Sequence, residues 1–164
     1  MCLRTRRIRA LAVFTCVLSV LVVAVSATLR LSGAGLGCDD WPACYGSILT
    51  GVPHAPWAGA RLAHRIVATL ALLAGILLAW RCWRPRPLQP AARYATLLLA
   101  LMLFLSVVGV WSSDPRMAWV NFINLIGGLG LVTFSWRVAI TSEPSRLMEQ
   151  GSGGQLCRAG LALL

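Results

Sequence analysis

Four stretches of this chain, about residues 8–29, 62–80, 94–111 and 119–139, are nearly uncharged and long enough to cross a hydrocarbon core, which takes roughly 20 residues of helix. None of them carries a carboxylate. In lipid every backbone polar group must find its partner within the chain, so these stretches are expected to be helices. Of the 164 residues, 58 % are hydrophobic and 12 % charged, a balance outside that of ordinary soluble domains. The expected fold is therefore all-α, an integral membrane four-helix bundle running up-down-up-down, with residues 1–140 as a single membrane domain.

The net charge of +10 comes from fifteen arginines against five acids, without a single lysine. Arg4, Arg6, Arg7 and Arg9 begin the chain, and Arg81, Arg84, Arg86 and Arg93 lie between the second and third spans. Arg137 and Arg146 come at or after the end of the fourth. The other two connections hold Arg30, Arg61 and Arg116, partly offset by Asp39, Asp40 and Asp114. Under the positive-inside rule both termini are cytoplasmic and the loop over 30–61 is external. A nucleic-acid surface would gather its cations on one folded face with aromatics among them. Here they mark helix ends, so no nucleic-acid partner is expected. The Arg-rich start followed by Val25-Ser26-Ala27 loosely fits a cleaved signal peptide, but the apolar run is too long for a signal core, and a retained helix is expected.

The loop over 30–61 is the largest connection. Its first half carries glycine-rich turns, Cys38, Trp41-Pro42 and Cys44; its second half, Gly51-Val-Pro-His-Ala-Pro-Trp57, is rich in turn formers. Residues 81–93 contain three prolines and four arginines, which predicts a short non-helical elbow. Residues 112–116 predict a tight external turn, and residues 141–164, polar and glycine-rich before a short apolar end, a mobile cytoplasmic tail. Ala71, Gly75 and Ala79 recur every fourth position on the second helix, as close helix contacts require. For Gly127, Gly128 and Gly130 on the fourth, two readings stand: close packing, or room for a flat ligand.

Cys38 and Cys44 face the oxidising side in this topology, where a disulfide is chemically permitted. The five residues between them, with Pro42 among them, allow the two α-carbons the necessary approach. Such a pair either staples the loop or serves a redox or haem-presenting role. No cysteine or histidine stands at the usual zinc spacing. Cys2, Cys16, Cys82 and Cys157 read as reduced thiols, and His54 as a solvent-exposed loop residue.

His64 lies seven residues past Trp57, an interfacial anchor, and so about 10 Å into the membrane along a helix. An intramembrane histidine marks a functional-site hypothesis, and neutral imidazole is a common axial ligand of haem iron. The competing reading is a packed histidine bonded to a neighbouring helix. Arg65 either pairs with a haem propionate or extends to the surface. Asn121 and Asn124 share a face of the fourth helix at a depth similar to that of His64. A pocket beneath the cysteine loop, with Arg30 at its level, follows from the topology.

The segment RLSGAGLGCDDWPACYG over 30–46, with His64-Arg65 and NFINLIGG over 121–128, resembles the haem A synthase family. The resemblance covers about residues 10–140 and one of the two similar four-helix halves of a usual member. It implies oxidation of the haem O ring methyl to the formyl of haem A for cytochrome oxidase assembly, in a bacterial inner membrane. It also implies haem as ligand, possessing either the substrate and product forms or haem b, with His64 as its iron ligand and catalytic candidate. Arg30, Arg65 and Asn124 are then haem-binding, and Cys38 and Cys44 match the family's loop cysteines. The chain departs from the pattern twice: Arg61 stands where a glutamate is usual, and Asn124 where the fourth-helix histidine is. A non-catalytic haem-binding or oxidase assembly subunit of the same fold is the alternative. A homodimer, or pairing with another four-helix half, would rebuild the eight-helix body.

Overall fold

The computed structural model describes residues 3–32, 57–88, 90–110 and 118–142. They form four helices: α1 (Leu3–Leu31), α2 (Ala58–Trp83), α3 (Ala91–Val110) and α4 (Ala118–Thr141). Each is long and apolar enough to span a membrane. α2 packs against α1 and α3, and α4 packs against α3 and α1, so each helix has its two closest neighbours beside it rather than across the bundle. Side-chain bonds fix the alternation. The start of α1 meets the end of α2 through Arg4, and the end of α2 meets the start of α3 through Trp83 and Thr96. At the same level Arg137 near the end of α4 donates to the Tyr94 hydroxyl. This is the expected up-down-up-down, all-α membrane bundle.

α1, α2 and α4 run past both ends of their apolar stretches, and α3 begins three residues before its own. Hydropathy ends at the first arginines, but helix does not, because arginine and alanine are good helix formers and long cationic side chains reach the interface. The elbow expected over 81–93 is correspondingly shorter: residues 81–83 complete α2 and 91–93 begin α3. Arg4 makes this possible. Its Nη2 lies within hydrogen-bond distance of the carbonyls of Arg81 (3.1 Å), Cys82 (3.4 Å), Arg84 (2.9 Å) and Arg86 (2.7 Å), and its two N–H groups are shared among these acceptors at and just beyond the end of α2. The helix then stops where Pro85 and Pro87 cannot continue it.

Exposed Trp57 and Trp119 ring one end, and exposed Trp80, Trp83 and Trp136 the other. Trp57 and Trp80 are twenty-three residues apart on one helix, about 34 Å at the helical rise and close to the ~30 Å hydrocarbon thickness. Tryptophan at both levels is the usual interfacial belt. Between the belts the outward faces are apolar, with Leu73, Phe104, Phe122 and Leu129 exposed.

The core lies toward the arginine-rich end. Ile8, Ala12, Thr15 and Ser19 of α1 are buried there with Ala71, Ala74, Leu78 and Cys82 of α2. Ala91, Ala95, Leu98 and Met102 supply α3, and Leu131, Ser135 and Val138 supply α4. The buried hydroxyls are satisfied within their own helices: Ser19 donates to the Thr15 carbonyl and Ser135 to that of Leu131, each at 2.8 Å. Small residues set the helix spacing. A β-carbon on Gly127 would lie 2.6 Å from Leu105, one on Gly128 2.7 Å from Val23, and one on Gly130 2.8 Å from Leu101. Close packing therefore accounts for Gly127 and Gly130, which seat side chains of α3, while Gly128 both seats Val23 of α1 and lines a cavity between the helices.

Candidate functional site

Toward the other end this buried series breaks in every helix at one level. On α1 no residue is buried between Ser19 and Leu29, and on α2 none between Ala58 and Ala71. On α3 the gap lies between Met102 and Val108, and on α4 between Val120 and Gly127. A cavity of about 420 Å3 opens there, lined by all four helices. Its walls are apolar or small, including Val22, Ala27, Ala68, Leu105 and Gly109. This volume falls within the ~300–1,000 Å3 range of small-molecule and cofactor sites.

Arg30, His64, Arg65 and Asn124 all line this one cavity, from three different helices. Arg30 enters from the last turn of α1. Its Nε donates to Ser26 Oγ one turn back (3.2 Å), and its Nη1 donates to Asn121 Oδ1 of α4. The guanidinium is thereby held across the α1–α4 seam. His64 and Arg65 come from the second turn of α2 and are half-buried. Asn124 also lines the space, but its Nδ2 donates to the Val120 carbonyl of its own helix at 2.9 Å. Arg61, half-buried one turn before His64, is not among the lining residues.

The site also contains groups that the sequence did not single out. Ser26 accepts from Arg30, Ser19 and Ser106 add hydroxyls, and Met102 closes the floor. Ser26 stands four residues before Arg30, a helical spacing that could have drawn attention to it. Ser106 and Met102 belong to a uniformly apolar third span and gave no such signal. Cys38, Cys44 and His54 lie outside the described residues, as do the turn over 112–116, the tail from 143 and all five carboxylates. Of the other cysteines, Cys16 and Cys82 are free thiols, as expected. Among the described residues there is no cluster of metal-ligating side chains.

The lining thus supplies one imidazole, two guanidinium groups and amide and hydroxyl groups on apolar walls. Imidazole ligates haem iron, guanidinium pairs with carboxylates such as propionates, and the apolar walls suit a macrocycle. The donor set fits haem. His64 is also the one cavity-lining group among the described residues suited to proton transfer near neutral pH.

Comparison with known proteins gives the same direction. A family profile described as Cytochrome oxidase assembly protein matches residues 9–60, which take in most of α1 and the loop after it. A heme A synthase of Shewanella oneidensis is 29 % identical, over 86 % of this chain and 47 % of its own length. A heme A synthase of Symbiobacterium thermophilum is 34 % identical, over 83 % of this chain and 41 % of its own length. No solved structure matches the chain. The chain spans less than half the length of these curated relatives. Over most of its own length, and over less than half of theirs, the chain resembles these heme A synthases.

Proposed function

We propose that this chain is a haem-binding unit of the haem A synthase type, acting in cytochrome oxidase assembly at a bacterial inner membrane. The observation that carries this is the convergence of Arg30, His64 and Arg65 on one cavity between the helices. His64 would hold the haem iron, Arg30 and Arg65 would hold the propionates, and the apolar walls would keep water from the ring. Bound haem O would supply the iron and the ring methyl; its oxidation to the formyl of haem A removes four electrons and adds one oxygen atom, so it requires water or dioxygen as oxygen source and an electron acceptor from outside this bundle. Ser26 and Asn121 orient Arg30, and Asn124 shapes the wall. A second four-helix body, from another copy or a longer chain, would supply the second histidine. The loop cysteines Cys38 and Cys44 would close or poise the external loop through a disulfide.

Detergent-purified protein should show a haem spectrum, identified by pyridine haemochrome, and H64A should lose it with unchanged helix content. Cells lacking other synthases should make haem A when this chain is expressed. Absence of both signals overturns the reading.

A second reading rests on Arg61 and Asn124, which stand where the resemblance implies a glutamate and a histidine. It keeps haem binding and oxidase assembly but not the oxidation. In that case the native chain binds haem without making haem A, and N124H with R61E is the variant that gains activity.

A further inference from the structure

At the end of the bundle opposite the haem-type cavity, a second cleft of about 540 Å3 opens between α1 and α2. Two antiparallel sequence patterns build it. On α1, Arg4, Arg7, Ile8 and Leu11 fall on one face at helical spacing; on α2, Leu77 and Arg81 do the same, and Arg84 follows as its C-cap. Because the helices run in opposite directions, both patterns grade the same way. Leucines lie inward of the tryptophan belt, and arginines lie at it or beyond it.

Arg4 has a different role from the others. Its Nη2 is occupied by the carbonyls that end α2, so it ties the two walls together. Arg7, Arg81 and Arg84 are exposed, and Arg84 lies over the exposed Trp80 ring at 5.6 Å. No carboxylate occurs among the described residues to neutralise them. Cations at headgroup level above an apolar groove match a ligand with a phosphate at one end and hydrocarbon at the other.

We propose that this cleft binds an anionic phospholipid, with its phosphate held by Arg7, Arg81 and Arg84 and its acyl chains along Leu11 and Leu77. The site is separate from the haem-type cavity and does not depend on it. Native mass spectrometry of the full chain in non-ionic detergent, with phosphatidylglycerol and phosphatidylcholine in equal amounts, tests it. The chain should retain phosphatidylglycerol in preference by roughly tenfold or more. R7Q/R81Q should bring the ratio to within about twofold, while R6Q/R93Q, with the same charge change outside the cleft, should keep it. Circular dichroism checks that the variants are folded. If the double variant does not express, R7Q and R81Q singly should each lower the ratio about threefold. Equal retention of the two lipids overturns the proposal, as does a preference that survives R7Q/R81Q. An equal loss in R6Q/R93Q would mean charge alone, and displacement by millimolar inorganic phosphate would mean a free-anion site; either also overturns it.

Discussion

Arg30 is the residue on which the cavity's geometry most depends, because its guanidinium joins α1 to α4 through Asn121 while Ser26 steadies it from its own helix. Hydrogen bonds to a charged group contribute about 1.5–3 kcal/mol each, and removing an acceptor from a half-buried guanidinium costs accordingly. N121L should therefore lower the thermal midpoint in detergent, by an amount equivalent to about 1–3 kcal/mol. R30M and N121L together should cost less than the sum of the two, and a double-mutant cycle measures the difference. Strict additivity would show that the pair does not couple the helices. His64, Arg65, Asn121 and Asn124 were legible in the sequence because each is polar or cationic in an apolar span, which is costly without a reason, and Arg30 because it ends one. Ser26, Ser106 and Met102 were not, since serine and methionine are unremarkable in such helices and only three-dimensional packing brings them to the cavity. The cysteine pair lies outside the described residues, so the geometry bears on the helical part of the site alone.

Among the elements, α4 shows how sequence and packing divide the information. Its glycines were visible at once, with two uses open to them: the contacts of Leu105 and Leu101 assign Gly127 and Gly130 to close packing, whereas Gly128 meets Val23 and also lines the cavity. Leu105 approaches Gly127 with both methyls and their branch carbon, at 2.6, 2.8 and 3.1 Å from an added β-carbon, so no single rotation removes the overlap. G127A should therefore destabilise the bundle by about 1–3 kcal/mol through overpacking. G59A makes the same chemical change where nothing lies within 4 Å, and should stay within about 0.5 kcal/mol of the native chain. Thermal unfolding of the two variants side by side separates packing from helix propensity. If both shift equally, the glycine contacts do not set the α3–α4 distance. The helix ends teach a related lesson. Hydropathy located all four spans, yet it ended α2 near Trp80, because nothing local revealed that Arg4, from the far end of the sequence, accepts the role of capping it.

For the whole molecule, the bundle is polarised: a tight core and the arginine-rich connections at one end, a cavity with His64 at the other. If the arginine-rich end is cytoplasmic, as the positive-inside rule requires, the cavity opens toward the external leaflet. Reporter fusions test this. A cytoplasmic reporter joined after residue 88 or 142 should be active, and one that works only outside the cytoplasm should be active when joined after residue 57. The reverse pattern would place His64 and the cysteine loop together at the cytoplasmic face, where a disulfide between Cys38 and Cys44 would not be favoured. Orientation also bears on pairing. Four spans return the chain to the side on which it started, so a second four-helix body can lie beside it with its own cavity at the same level. Such a partner must cover an apolar face, and the exposed leucines and phenylalanines between the tryptophan belts offer lipid and partner helix the same surface. Cross-linking in the membrane distinguishes the two. Single cysteines placed at Phe122 and at Phe104 report from the cavity end of α4 and from α3, and a partner that completes the haem site should join at Phe122 in preference. Cross-links at neither position, with haem still bound, would mean that one bundle holds its haem unaided.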